Sequence, residues 1–216
     1  MGTTELANLI KSRRSIRTWQ DKNVPEELLL QAVELATWAP NGGNRQPWYF
    51  YIIVNKDVLN SIADAVKATA EYVVTWPEIS QLGEMATRMA ERAGAFRSAP
   101  AAIVAAVRKY QSPLDEVLAA REKVDGRAAQ IHQGEHIVNS RIQSVSAAIS
   151  YLLLILHQMG LGAVWMTGPL QAKTEIEQIL EVPSDMDVVA FIPIGYPAET
   201  PVRDRKPVSE VCKIVK

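Results

Sequence analysis

A short basic run near the N-terminus carries the residues best suited to bind an anion. From Lys11 to Arg17 the chain reads KSRRSIR, and no acidic residue follows until Asp21. Guanidinium groups offer paired N–H donors that match phosphate oxygens, and a hydroxyl adds another donor. A solvated basic helix end is the competing interpretation, because Lys and Arg are favoured at helix C-termini. The run by itself leaves both interpretations open.

A second basic group lies almost at the other end of the chain. Arg203 and Arg205 are followed by Lys206 and Pro207. Two separated basic clusters could converge on one dianion, and a monophosphate needs about that much compensating charge. An exposed loop that also contains Asp204 is the alternative.

The segment APNGGNRQPW combines backbone freedom with side-chain amides. Glycines permit unusual backbone angles, and amides both donate and accept hydrogen bonds, as a flat heterocycle such as an isoalloxazine ring requires. An ordinary turn would have a similar composition. Trp48, directly after Pro47, could anchor the loop, which favours the binding interpretation. The candidate residues are Pro40, Asn41, Gly42, Asn44 and Gln46.

The segment Trp165 to Pro169 follows a predicted buried strand, Ala163 to Met166. Sites in layered α/β proteins often lie where strands end, and backbone amides there could face a ring nitrogen or carbonyl. A simple strand-ending turn is the alternative. His132 and His136 have a spacing that could bind a metal on a helix, but no third ligand is apparent, so we predict no metal site.

The hydrophobic pattern predicts alternating helices and strands, which indicates an α+β or α/β layered domain. The region from Lys109 to Asn139 is predicted to be helical but irregular, with a lid-like role. Predicted helices begin at Thr3 or Thr4, follow Pro25 and stop before Pro40, and span Val58–Tyr72, Gln81–Phe96, Ile142–Met159 and Lys173–Leu180. Predicted strands are Tyr49–Val54, Ala101–Val107, Ala163–Met166 and Val188–Ile194.

Composition narrows the class of protein. The 216 residues carry a net charge of −1, which gives no general attraction to nucleic acid or anionic membrane. Cys212 is the single cysteine, so no intrachain disulfide is possible. The apolar stretch Ile142–Met159 contains polar residues at both ends and is predicted to be a buried helix rather than a membrane span. We expect a cytoplasmic protein with one domain over residues 1–216.

Five motifs in this order resemble the nitroreductase family of flavoproteins: RRSIR, APNGGNRQPW, GLGAVWMTGPL, IPIGYPAE and RDRKP. The resemblance covers about residues 5–210 and is weakest at Ala70–Phe96 and Lys109–Asn139. It implies an α+β fold with a central mixed or antiparallel sheet flanked by helices. It also implies an intertwined homodimer with two FMN sites at the subunit interface.

The resemblance assigns roles to the motif residues. Arg13, Arg14, Ser15 and Arg17 would hold the FMN phosphate and ribityl chain, with Arg203 and Arg205 also at the phosphate. The loop residues Pro40, Asn41, Gly42, Asn44 and Gln46 would lie against the flavin of the partner subunit. Met166, Thr167 and Gly168 would lie beside the ring near N5. Well-studied bacterial members carry an acidic residue before the glycine, whereas this chain has Thr167.

The implied activity is FMN-dependent transfer of electrons from NAD(P)H to a nitro, quinone or similar acceptor. No Gly-x-Gly-x-x-Gly motif indicates a separate nicotinamide pocket, so we expect ping-pong turnover in one cavity without a protein acid or base. Reductive dehalogenation is an alternative, although the spacing of Glu71 and Tyr72 does not match the deiodinases. Flavin destruction is disfavoured, because those relatives carry an acid at the position of Ser15. A flavin-binding protein without turnover and a basic nucleic-acid binder are the remaining alternatives.

Overall fold

The computed structural model describes residues 2–110 and 112–216, without the side chains of residues 135–137. Within these residues a four-stranded antiparallel sheet has the strand order β1-β2-β4-β3. The strands are β1 Trp48–Ile53, β2 Ala101–Arg108, β3 Gly162–Ala163 and β4 Met186–Gly195. The helices are α1 Thr3–Ser12, α2 Glu26–Ala36, α3 Lys56–Val73, α4 Glu84–Arg92, α5 Pro113–Arg121, α6 Gly126–Val138, α7 Ser140–Gln158, α8 Lys173–Ile179 and α9 Val208–Val211.

Strand β2 is the centre of the molecule because helices cover both faces of the sheet. Successive side chains of a strand point to opposite faces. Ile103 accordingly packs in a core with α2 and α7, whereas Val104 packs in a second core with α3 and α8. Burial on both faces explains why the strand reads as an uninterrupted apolar run, AAIVAAV. The predicted α+β architecture with a helix-flanked sheet is confirmed.

Helix α7 is the central helix predicted from the apolar stretch at 142–159. Val145, Ile149, Leu152 and Leu156 are buried against α2 and the sheet. Most of its apolar surface is therefore used inside one protomer, and Tyr151 is a large side chain that it exposes.

The N-terminal basic segment extends the sheet beyond β3. Ser15 forms a parallel bridge with Ala163, and the amide of Ile16 donates to the Ala163 carbonyl at 3.1 Å. A side chain at Gly162 could not be accommodated, because its Cβ would lie 2.7 Å from Ile16 Cγ1. The small residue therefore lets the basic segment lie directly on the strand.

The predicted strand Ala163–Met166 is wrong in length, since β3 ends at Ala163. The ladder resumes as an isolated bridge between Met166 and Phe191, in the same register. In that register Pro193 of β4 lies opposite Val164. Proline has no N–H to donate, so the ladder is interrupted there.

The predicted helix Gln81–Phe96 is also wrong as a single element. Helix α4 ends at Arg92, and Gly94 then takes a left-handed φ of +74° before a 3₁₀ turn at Ala95–Ser98. Ala93 is already extended and Gly94 is left-handed, and neither conformation continues a right-handed helix, so the chain turns here. The helical prediction for Lys109–Asn139 is confirmed by α5 and α6, with Gln111 outside the described residues.

Two further observations concern membrane spans and metal sites. Among the described residues, no helix has the length and apolar character that a membrane span requires. The same residues contain no group of three or more His, Cys, Asp or Glu side chains arranged to hold a metal ion. The side chain of His136, half of the His132–His136 pair, lies outside the described residues.

Candidate functional site

The two basic clusters meet in one cavity of about 280 Å³. More than 180 residues of sequence separate them, yet every residue predicted to hold a phosphate lines this cavity. The lining residues are Arg13, Arg14, Ser15, Arg17, Glu199, Pro201, Arg203 and Arg205. We refer to this set as the basic cavity.

Backbone hydrogen bonds bring the two clusters together. The amide of Gln20 donates to the Tyr196 carbonyl at 2.9 Å, and the amide of Ala198 donates to the Thr18 carbonyl at 3.0 Å. Residues 16–20 therefore run antiparallel to residues 196–199, directly before the second cluster. The sequence alone did not reveal this pairing, because neither segment shows a strand pattern.

The basic cavity holds more positive charge than the protein compensates. Burial lowers the pKa of the Arg13 guanidinium from its usual value, and the charges of Arg205 and Arg14 lower it further. Within the described part of the chain, none of the five lining arginines has a carboxylate within 4.0 Å of its guanidinium nitrogens. An anion bound here would relieve the repulsion.

Arg14 gives a direct test of whether a phosphate fits. Its Nη1 donates to the carbonyl oxygens of Lys11 and Arg13, whereas its buried Nε has no hydrogen-bond partner among the described residues. A buried donor without a partner costs about 1–3 kcal/mol. Several guanidinium groups, the Ser15 hydroxyl and one donor without a partner form a set that suits a phosphate monoester.

Glu199 is a residue of the cavity that the sequence analysis missed. Its Oε1 accepts the amide of Arg17 at 2.5 Å and the amide of Thr18 at 3.0 Å. The carboxylate is thus held by backbone donors of the basic segment rather than by an arginine side chain. It lies in the IPIGYPAE motif, but nothing in its local sequence indicates a contact 182 residues away.

His157 lies beside the basic cavity and contacts Ser12 at the end of α1. Ser12 Oγ and His157 Nε2 are 2.9 Å apart. Burial lowers the pKa of His157, and the nearby charges of Arg13 and Arg14 lower it further. Burial and, after it, the positive charges of the cavity therefore both disfavour the protonated form of this imidazole.

The loop at residues 40–46 is stabilised by its own amides. Asn41 Oδ1 accepts the Gln46 amide at 2.9 Å, and Gln46 Nε2 donates to Asn44 Oδ1 at 3.3 Å. Gly43, Asn44 and Gln46 all have positive φ, between +46° and +63°. None of the predicted loop residues lines the basic cavity; Gly42 and Gln46 line a separate one. Pro40 lines neither of these two cavities.

The segment Met166–Gly168 leads away from the basic cavity. Met166 packs with Ile16 and Val164, next to the bridge that carries Ser15. Thr167 and Gly168 follow it at the surface. The preceding Trp165 has a buried indole N–H without a hydrogen-bond partner among the described residues. The basic cavity and the Met166–Gly168 segment therefore lie along one edge of the sheet.

Comparison with known proteins agrees with this architecture. The sequence profile described as the Nitroreductase family matches residues 10–196. A protein of Methanothermobacter thermautotrophicus, named as an NADH dehydrogenase/NAD(P)H nitroreductase, is 31% identical over 91% of this chain and 80% of its own length. The structure of a BluB-like flavoprotein from Clostridium difficile 630 superposes with a TM-score of 0.83 at 25% identity, covering 98% of this chain and 99% of that one.

Iodotyrosine deiodinase is similar in both sequence and structure. The mouse protein, from Mus musculus, is 26% identical over 98% of this chain and 70% of its own length. A deiodinase structure bound to FMN and 3-iodo-L-tyrosine has a TM-score of 0.67 at 23% identity, covering 98% of this chain and 97% of that one. The profile match and the archaeal relative establish that this chain belongs to the nitroreductase family.

Proposed function

We propose that the protein is an FMN-dependent oxidoreductase that passes electrons from NADH or NADPH to a small organic acceptor such as a nitro compound or a quinone. The observation that carries this proposal is the convergence of five arginines and Ser15 on one cavity with a buried, unpartnered donor. FMN carries a single phosphate monoester, which matches that donor set. The BluB-like structural neighbour is described as a flavoprotein and the deiodinase neighbour as bound to FMN, which gives further support.

The residues of the chain would bind and orient the cofactor. Arg13, Arg14 and Ser15 would hold the phosphate from one side, and Arg205 from the other. The ring would extend toward Met166–Gly168, along the same sheet edge. Held there, FMN would supply two-electron chemistry between the reduced nicotinamide and the acceptor. For a nitro compound the balance is one NAD(P)H and one proton consumed, with a nitroso product, NAD(P)⁺ and water formed.

We also propose a homodimer, because large apolar side chains near both ends of the chain are exposed to solvent. Leu6 and Ile10 of α1 are 46% and 52% exposed, and Ile214 near the C-terminus is 80% exposed. Trp38, at the end of α2, is also 80% exposed. Large apolar side chains with this much exposure are candidates for a surface that a second subunit covers. These residues favour an interface that involves the chain ends, with Tyr151 of α7, which is 43% exposed, as a further candidate.

Reductive dehalogenation is the second candidate, and the similarity to iodotyrosine deiodinase favours it. Two residues considered for binding an iodotyrosine are otherwise engaged: Glu71 pairs with Lys67 at 3.7 Å, and the ring of Tyr72 packs edge-on against Trp76. Neither of them lines the basic cavity. Iodide release from 3-iodotyrosine by the reduced protein separates the two candidates.

Replacing Arg13 or Arg205 with alanine should weaken FMN binding roughly ten- to hundredfold. Each substitution removes charge-assisted hydrogen bonds worth about 1.5–3 kcal/mol. Arg88→Ala is the matched control, because Arg88 lies on the surface of α4, outside the basic cavity, and pairs with Glu84. Fluorescence titration of the apoprotein with FMN measures the affinities. Unchanged affinity in both cavity variants would show that the assignment is wrong.

Light scattering should give about twice the protomer mass of 23.9 kDa for the flavin-loaded protein at micromolar concentration. An obligate interface is large and apolar, often above about 2,000 Å² in total, and does not dissociate at that concentration. A monomer that retains FMN would contradict the dimer.

Steady-state turnover should follow a ping-pong scheme, because the donor and the acceptor would use the same cavity in turn. Double-reciprocal plots against nicotinamide concentration, at several fixed acceptor concentrations, should be parallel. Intersecting lines, or a ternary complex trapped with an inert nicotinamide analogue, would contradict the single cavity.

A further inference from the structure

A second cavity, of about 690 Å³, opens where β2 ends and α7 begins. An adjoining hollow of about 290 Å³ shares Arg45, Lys109, Tyr110, Ser140 and Arg141 with it and reaches the loop residues Gly42 and Gln46. We refer to the two together as the cationic cavity. Its remaining lining residues are Pro47, Arg108, Ser112, Asp115, His132, Asn139, Ser144 and Asp187.

The carboxylates of the cationic cavity compensate its positive charge only in part. Asp187 is shared by three cations: its oxygens lie 3.0 Å from Lys173 Nζ, 3.7 Å from Lys109 Nζ and 4.0 Å from Arg141 Nη1. Lys173 also pairs with Glu177 at 2.7 Å, which leaves Asp187 to compensate Lys109 and Arg141. Arg108, also in the wall, forms a separate ion pair with Asp185.

Asp115, the other acidic group of the wall, also caps a helix. Asp115 accepts the amide of Ser112 at 2.7 Å, and Ser112 Oγ accepts the amide of Asp115 at 3.1 Å. This reciprocal arrangement caps the start of α5. His132 lies 2.6 Å from Glu122, which compensates the imidazole if it is protonated. Among the described residues, Asp115 and Asp187 therefore face the three cations Arg45, Lys109 and Arg141, which leaves an excess of one positive charge.

Arg45 is the cation best placed to receive a ligand. Its guanidinium lies over the Tyr110 ring, 4.1 Å from the centroid, and has no carboxylate within 4.0 Å in the described part of the chain. Stacking uses the face of the guanidinium and leaves its in-plane N–H groups able to bind a carboxylate in a bidentate manner. Tyr110 is 41% exposed and offers an aromatic surface beside that charge.

We propose that the cationic cavity binds the carboxylate of an aromatic acid, and that aromatic acids are the preferred class of electron acceptor. Arg45 and Arg141 would hold the carboxylate while the aromatic ring packs near Tyr110. This inference rests on the proposed function, in which the loop at residues 40–46 lies against the flavin. The cavity that this loop borders is then the place where an acceptor would reach the flavin.

The test compares 4-nitrobenzoate with its uncharged isostere 4-nitrobenzamide as oxidants of the reduced, FMN-loaded protein. The variants are Arg45→Gln and Arg141→Gln, with Arg45→Lys as the conservative variant and Arg88→Gln as the control outside the cavity. We expect each Gln variant to lower kcat/KM for 4-nitrobenzoate at least tenfold and to change that for 4-nitrobenzamide less than twofold. Arg45→Lys should retain part of the preference.

Equal losses for both acceptors, or no loss for either, would overturn the proposal. If the variants instead slow flavin reduction by NADH or NADPH, the cationic cavity binds the nucleotide. This result would also overturn the proposal. Because Arg45 is exposed, its substitution should leave folding intact, and far-ultraviolet circular dichroism checks this.

Calorimetric titration with benzoate separates failure of this inference from failure of the proposed function. Wild-type FMN-loaded protein should bind benzoate, and Arg45→Gln should weaken that binding at least tenfold, whereas benzamide should bind weakly to both. This result would hold even if the protein reduced no nitro compound. Absence of benzoate binding to the wild type would overturn the inference.

Discussion

Backbone pairing between residues 16–20 and residues 196–199 is the interaction that holds the two basic clusters in one cavity. Like charges repel, so Arg13 and Arg205 would not approach each other through their side chains alone. The bridge from Ser15 to Ala163 and the hydrogen bonds to Tyr196 and Glu199 hold them together regardless. The sheet thereby maintains an excess of positive charge that only an anion can relieve. Burial lowers the pKa of Arg13 and of His157, and the neighbouring arginine charges lower both further.

The two cavities lie at different places around the sheet. The basic cavity lies beside β3 and the turn after β4, whereas the cationic cavity lies beyond the end of β2, where Lys109 follows the strand. Within one protomer they share none of the residues that line them in the described part of the chain. In the proposed dimer, the loop at residues 40–46 would bring the cationic cavity of one subunit to the flavin held by the other.

The sequence predicted the fold class and the residues that line the basic cavity because both depend on local patterns. Apolar runs identify β1, β2 and β4, and clustered arginines identify the basic cavity. The sequence-based prediction of element bounds was wrong where a single residue changes the local backbone. Pro193 lies on the neighbouring strand β4 and interrupts the ladder beyond β3. The backbone at Ala93 and Gly94 leaves the helical conformation, although the sequence pattern continues.

Side-chain pairings between distant segments left no local signal either. Glu199 reads as an ordinary surface acid, although its carboxylate joins the two ends of the chain. Arg45 reads as a loop residue, although it stacks on Tyr110. Such contacts depend on the assembled sheet, and periodicity and composition do not encode them.

The central claim is that the basic cavity binds the phosphate of the flavin, and riboflavin is the direct probe of it. Riboflavin lacks the phosphate but keeps the ring and the ribityl chain. Equilibrium titration of the apoprotein should show FMN binding at least roughly a hundredfold more tightly than riboflavin, since two or more charge-assisted bonds are lost. The difference should shrink as salt concentration rises, because salt screens the partly exposed arginines. Equal affinity for FMN and riboflavin would contradict the account.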